Sequence, residues 1–527
     1  MTEISNIVKD WRYVDLTFGL IYPNSYKLAN SSYTIRLLYH MINSYDRFLC
    51  ERIFLPENLK YPAANDYCSI NLIRSRENKI LPKEFDVLGV SVHYENDFKN
   101  IFWILDKANI PLLRKERIHL QKEEDIIYPL LIAGGPVITS NPLPLNEVFD
   151  VFFIGDSEKT LIPFLDNLVD WKSSNYDNSE LFTNLKKAEN LYIPSINNRP
   201  KRGILENLDE SPNPLSQTIS EKQMDNTVFE RNFFVEINRG CPFRCKFCIS
   251  SFHNSPFRNK SYTNILKVID EGIKQTKFEK ISLIGSCVSS HPKFKEICEY
   301  IIGKGKRLSI PSIRLDHITK DLIALFEKTN MNSITIAPET GSDSLRFDLG
   351  KRIPNEKIID VATMIFDSSI RNIKFYFLIG LPSESEDDIQ AIIDLLKKID
   401  NIGFERESLK VNINPFIPKL NTPYGNYVDH FLDENFEILT TKFQRLSKEL
   451  KKIRAVKLKT QKLTQLLNNA KLQTIFSLGD NSISQLLIKY YRNGAKYSDF
   501  KKVESLVSFS TNTYLKKIKN GYTPWII

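Results

Sequence analysis

From Phe233 onward the chain repeats one unit. Apolar runs of strand length, FFVEINR, KISLIG (280–285), RLSIPSIR (307–314), NSITIAPE (332–339), NIKFYFLIGLP (372–382) and LKVNINPFIP (409–418), are separated by helical patterns. The helices are expected at Tyr262–Gln275, Pro292–Ile302, Thr319–Lys328, Glu356–Phe366 and Glu386–Lys398. Successive strand–helix units with right-handed crossovers curl into a partial (β/α)6, TIM-like barrel, and place chemistry at the carboxyl ends of the strands. Residues just after each strand therefore carry the most weight.

The first part of the chain has the same alternation on a different plan. VDLTFGLIYP (14–23), FDVLGVSV (85–92), PLLIAGG (129–135) and VFFIG (151–155) read as buried strands. Helical patterns at Tyr26–Asn43, Asn100–Lys107 and Ser157–Val169 lie between or after them. Near-continuous apolar strands spaced by helices imply a parallel sheet covered on both faces, hence a doubly wound, Rossmann-like domain over 1–170. Residues 171–230 are rich in Asn, Ser, Pro and charge and read as an irregular linker. The barrel is expected over 231–425 and a mostly helical, basic region over 426–527.

At 527 residues the chain is too long for a single core. Hydrophobic residues make up 42% and charged residues 26%, which excludes a wholly disordered, collagen-like or coiled-coil chain. No stretch approaches the roughly 20 apolar residues of a membrane span, and the start, MTEISNIVKDWRYVD, shows no secretory signal pattern. Seven cysteines, an odd and modest number, fit a reducing cytoplasm rather than a disulfide scaffold. The formal charge of +9 is concentrated between Thr441 and Lys471, where ten Lys or Arg face one acid, Glu449. Apolar residues recur among them, so an amphipathic helix with a basic face is expected. That face is either simply solvated or a contact for nucleic acid or an acidic partner.

The chemical signal follows the first barrel strand: Arg239-Gly240-Cys241-Pro-Phe-Arg-Cys245-Lys-Phe-Cys248. Three thiols within eight residues can surround one metal centre. A structural zinc site would want a fourth donor, and the nearest is His253; Cys287 and Cys298 lie far along the chain. A four-iron cubane held by three thiolates instead leaves one iron open to chelate the amino and carboxylate groups of a methionine moiety.

The spacing CxxxCxxC, with Phe247 before the last cysteine, resembles the signature of the radical S-adenosylmethionine (SAM) superfamily. The resemblance implies a [4Fe-4S] cluster on Cys241, Cys245 and Cys248. It also implies SAM as co-substrate and a reducing partner such as ferredoxin or flavodoxin. It further implies that Ser286, at the end of LIGS, faces the methionine amino group. Arg314 and Glu339 are the candidate catalytic residues, and Glu339, Thr340 and Gly341 fall where the family meets ribose and substrate. The Gly380-Leu381-Pro382 edge falls against adenine.

The N-terminal stretches Tyr22-Pro23-Asn24-Ser25-Tyr26, Glu51-Arg52-Ile53-Phe54-Leu55-Pro56, Ala133-Gly134-Gly135-Pro136 and Gly155-Asp156-Ser157-Glu158 are similar to those of an uncharacterised clade of the superfamily. Its members carry a cobalamin-binding-like domain ahead of the barrel, with Gly134 and Gly135 as candidate cofactor contacts. The usual cobalt-ligating Asp-x-His-x-x-Gly turn is replaced by Tyr22-Pro-Asn-Ser-Tyr-Lys, and His93 lacks the flanking pattern. Either cobalamin binds without a protein ligand, or only the fold is kept. The expected function is reductive SAM cleavage and hydrogen abstraction from an unidentified substrate, with cobalamin-dependent methylation as one form. The alternatives are RNA modification through residues 441–471 and a non-catalytic iron–sulfur or zinc module. Methylthiolation is disfavoured, because family members with that activity carry three N-terminal cysteines and this chain offers Cys50 and Cys68.

Overall fold

The computed structural model describes residues 3–4, 7–57, 59, 73–217, 219–220, 232–310, 313–459 and 461–527. Five parallel strands and one antiparallel edge strand build the first sheet. They are β1 (Leu16–Ser25), β2 (Phe48–Leu55), β3 (Val87–Ser91), β4 (Leu130–Gly134), β5 (Val151–Phe153) and β6 (Leu191–Tyr192), in the order β2-β1-β3-β4-β5-β6. Strand order reverses at β1, so a crevice opens at the carboxyl ends of β1 and β3, where doubly wound sheets take ligands.

Several sequence expectations shift here. The helix expected over Tyr26–Asn43 breaks into Tyr26–Ala29 and Tyr33–Asn43, because the Ser32 hydroxyl accepts from Ile35 N–H and starts the second piece. β2 was not foreseen as a strand: Glu51 and Arg52 interrupt its apolar pattern yet are buried, Arg52 on Glu77 at 2.7 Å. The segment read as linker carries the helix Asn178–Leu185 and β6, and Gln217 docks it by accepting from Arg36 and Phe234 N–H. Cys68 lies outside the described residues, and Cys50 is fully buried within β2, where it offers no ligand to a second cluster.

Two further parallel sheets follow. The first is β7 (Asn232–Glu236), β8 (Lys280–Ile284) and β9 (Arg307–Ser309); the second is β10 (Ser333–Glu339), β11 (Asn372–Ile379), β12 (Leu409–Pro415) and β13 (Val456–Lys459). Both sheets contribute to one apolar core. On β11 the alternate residues Ile373, Phe375, Phe377 and Ile379 are fully buried, each worth about 1.5–3 kcal/mol. The covering helix Glu386–Asp400 presents Ile389, Ile392, Ile393, Leu396 and Ile399 on one face. A Ser385–Asp388 capping box starts it, and acids in its first turn and lysines in its last complement the helix dipole.

The basic helix expected across 441–471 is a correction. Helix Glu437–Leu450 ends before β13, and a second helix runs Leu463–Leu478. Val456–Lys459 pairs with β12 because its alternating Val and Leu complete the sheet edge. Lys442 and Lys471 are buried, Lys442 on Glu384 at 2.7 Å, and Arg445 meets Glu386 at 2.6 Å. The charges therefore do not form one continuous basic face. The helices Leu463–Leu478 and Ile483–Arg492 pack Phe476, Leu487 and Tyr491 into the first domain's core, while Leu515 and Ile518 join the core shared by the two later sheets. No helix among the described residues is long and apolar enough to cross a membrane.

Candidate functional site

The three-cysteine loop is closed by a short antiparallel ladder, Asn238–Arg239 on Arg258–Asn259, just after β7. Gly240 has φ +81°, and a Cβ there would strike the Asn254 carbonyl, so the turn needs glycine. The loop rests on the segment after β10: Lys246 N–H donates to Leu349 O at 2.9 Å, and Gly350 packs against Arg244. Cys245 is buried, whereas Cys241 and Cys248 are partly exposed, and all three are free of disulfides. Burial raises the Cys245 thiol's pKa, opposed by Lys351 and Arg314, with Cys248 and Glu339 also within electrostatic reach. Cys241 and Cys287 lie within electrostatic reach of each other, which raises the Cys241 thiol's pKa and brings Cys287 down to about 6.

Among the described residues no three Cys, His, Asp or Glu side chains converge as one metal ion requires. His253, the fourth zinc donor the spacing allows, is turned away: its Nε2 donates to Leu420 O at 2.9 Å. A cubane spreads its thiolates wider than a single ion does, and its anionic charge suits the two cations beside Cys245. The donor set therefore fits a cluster better than zinc.

The other expected residues divide. Phe247 and Leu381 share one apolar patch with Leu345, Leu349 and Phe416. Ser286 is exposed at the end of β8. Glu339, at φ +71°, pairs with Lys351 at 2.9 Å, so its carboxylate already has a cation. Arg314 pairs with Asp316 at 2.8 Å and lies over the Phe243 ring, 3.4 Å from its centroid. Thr340 is buried with its hydroxyl unpartnered. Gly341 has a packing reason, since a Cβ would strike Ile392 in the helix behind it. Gly380, at φ +78°, donates its N–H to Glu384 at 2.8 Å, and Pro382 is buried beside it.

A cavity of about 520 Å³ lies at the junction of the first sheet with β7 and β8 of the second. Tyr22, Ser91, His93, Gly134 and Gly135 line it from the carboxyl ends of β1, β3 and β4, and Glu236 and Arg239 line it from the cysteine loop's side. Burial brings His93 down to about 4, and its Nε2 lies 3.0 Å from Ser91 Oγ. Gly134 tolerates a Cβ, but Gly135, at φ +105°, would press one onto Val92 O.

One group that the spacing did not single out binds the two halves together. Arg239 meets Asp156 and Glu158 at 2.8 Å each and Glu236 at 2.9 Å, while Arg258 meets Asp156 at 2.6 Å. Burial opposes charge on Arg239, yet Glu236, Glu158 and Asp156 hold its pKa well above the usual value. Asp156 is likewise penalised by burial but held below the usual carboxylate range by Arg239, Leu205 N–H and Arg258. Gly155-Asp156-Ser157-Glu158 and Arg239 were both visible as sequence; their contact was not. Lys351 and Cys287 were also missed.

Both halves of the chain match known proteins. Residues 34–194 match the family model for radical SAM proteins, N-terminal, and residues 235–396 match that for the radical SAM superfamily. An uncharacterised protein of Methanocaldococcus jannaschii is 26% identical over 89% of this chain and 90% of its own. A putative methylthiotransferase of the same organism is 23% identical over 66% and 72%. Among solved structures, the radical SAM methyltransferase TsrM of Kitasatospora setae, with cobalamin and a [4Fe-4S] cluster bound, superposes with a TM-score of 0.56 at 12% identity over 95% of this chain and 99% of its own. The cobalamin-dependent radical enzyme OxsB, with aqua-cobalamin bound, gives 0.51 at 12% identity over 96% and 80%. With both domain models matched in order, this chain belongs to the radical SAM superfamily.

Proposed function

We propose that Cys241, Cys245 and Cys248 hold a [4Fe-4S] cluster at which SAM is reductively cleaved, and that the junction cavity admits cobalamin for transfer of a methyl group. Bound there, the cluster supplies the electron that breaks the carbon–sulfur bond of SAM. The chain's own residues do the rest. Lys351 and Arg314 offset anionic charge beside Cys245. Phe247 and Leu381 offer an apolar face for adenine. Glu339 and Lys351 form a pair that can exchange its internal contact for ribose hydroxyls.

One observation carries the reading. The loop that bears the three thiols and the cavity at the sheet's carboxyl ends share a wall, formed by Glu236 and Arg239. A cofactor in the cavity and SAM at the loop would therefore lie side by side. The wall on the sheet side mixes apolar residues with Gly134 and Gly135, which let a flat ligand approach the backbone closely. The lack of a histidine on the first turn is consistent with cobalamin held without a protein ligand to cobalt.

The test is anaerobic reconstitution followed by titration with SAM and cobalamin, with mass spectrometry of the products. Iron near four per chain, deoxyadenosine formation and a cobalamin absorbance change support the full reading. Iron and deoxyadenosine without cobalamin binding leave a radical enzyme whose first domain keeps only the fold. One zinc per chain refutes both.

A further inference from the structure

We propose that a second cavity, between the C-terminal helices and the first domain, binds the phosphate of a nucleotide, either free or within a nucleic-acid strand. It shares no lining residue with the junction cavity, and the inference stands whether or not the three thiols hold a cluster.

The cavity has a volume of about 380 Å³ and takes in the end of the basic stretch, from Lys462 to Asn469. Lys99, Lys462 and Lys496 line it, and no Asp or Glu does. Lys462 and Lys496 are exposed, and neither has an ion-pair partner among the described residues. The acids next to these lysines in sequence are engaged elsewhere. Asp97 accepts from Asn24 at 3.1 Å and from Asn100 at 2.9 Å. Glu95 accepts from Gln473 at 2.8 Å and from Lys419, and Asp499 accepts from the Lys496 N–H at 3.2 Å. Three like charges around one space repel each other until an anion enters between them.

The backbone adds to that field. Lys462 is the N-cap of helix Leu463–Leu478, which no side chain caps and whose first turn holds no acid. Lys496 is the N-cap of helix Tyr497–Leu506, and Lys99 lies in the first turn of helix Phe98–Lys107. A helix start carries partial positive charge and favours acids, so a lysine at each of three starts is unfavourable in the empty site. A phosphate offsets both the lysines and the helix ends.

The other walls suit the rest of a nucleotide. Gln465 and Asn468 bring side-chain amides that can pair with base edges, and Tyr497 brings a ring on which a base can stack. The apolar side is fixed in place. Phe476 packs against Phe98 and Tyr490, with ring centroids 5.9 and 6.1 Å apart, and the Tyr490 hydroxyl donates to Ala495 O at 2.6 Å.

The test uses the full chain, a fluorescent single-stranded RNA and nucleoside monophosphates as competitors. It compares wild type, Lys462→Glu with Lys496→Glu, and Lys448→Glu with Lys451→Glu, two exposed lysines near the end of helix Glu437–Leu450. Acids are favourable at helix N-caps, so the first pair should leave the urea midpoint no lower than in wild type. Its affinity for RNA should fall by about tenfold or more, with a shallower dependence on salt. The second pair changes the net charge equally and should cost less than about twofold. Lys462→Ala with Lys496→Ala repeats the comparison without reversing charge. Displacement of RNA by a monophosphate identifies a free nucleotide as the occupant, and binding of the strand alone identifies nucleic acid; both uphold the site. Equal losses in the two Glu pairs overturn it, because overall charge then accounts for binding. A wild-type protein that binds neither RNA nor monophosphate, or that binds polyglutamate in their place, overturns it as well.

Discussion

The Arg239 guanidinium, two residues ahead of Cys241, lies 2.8 Å from the Asp156 carboxylate of the other domain. The contact ties the cysteine loop to the turn after β5, and Glu158 and Arg258 extend it. Through this knot, the order of the loop depends on the first domain.

Asp156→Asn should expose the cost of that dependence. It leaves Arg239 and Arg258 buried with one carboxylate fewer, and breaking a buried pair costs about 3–5 kcal/mol. Urea unfolding should show a lowered midpoint, and iron uptake on reconstitution should fall. Unchanged stability and iron content would mean the knot is incidental to the loop.

Cys241→Ala, Cys245→Ala and Cys248→Ala should each lose the cluster and all deoxyadenosine formation. Any one that still produces deoxyadenosine removes its residue from the ligand set. Far-ultraviolet circular dichroism checks that each variant remains folded.

Glu339→Gln should keep its iron but need about tenfold more SAM for half-maximal deoxyadenosine formation, a loss of about 1.4 kcal/mol. The substitution removes the charge that Glu339 now shares with Lys351. An unaltered SAM dependence would confine Glu339 to holding Lys351 in place.

Leu38→Trp adds bulk to the wall of the junction cavity. Cobalamin binding, read by absorbance titration, should be lost while iron content stays. Binding at wild-type affinity would place the cofactor elsewhere.

Acid should weaken the fold through two buried histidines. Burial holds His253 and His430 neutral, with pKa values near 4, and each is 5% exposed. Unfolded histidine takes its proton near pH 6.5. Their contribution is therefore complete above pH 6.5 and is lost as pH falls toward 4, by about 1.4 kcal/mol per pH unit for each. Urea midpoints that stay flat between pH 7 and pH 5 would contradict this.

Local periodicity alone determined a good deal. Helix Tyr262–Gln275 has the bounds its apolar spacing implies, because Ile265, Val268 and Ile269 recur on one face and Ser261 caps it. The β–α alternation and the three-cysteine loop were legible for the same reason: each is written within a few consecutive residues. The tertiary structure decided the rest. β2 hid behind Glu51 and Arg52, whose burial makes sense only once Glu77 and Asn78 are in place. β13 is a strand because β12 offers it an edge, although its neighbours in sequence are helical. The approach of Asp156 to Arg239 joins residues far apart along the chain. Alternation and spacing encode which face of an element is apolar. They carry no record of which distant charge or thiol will meet it there, since that depends on how the finished layers pack.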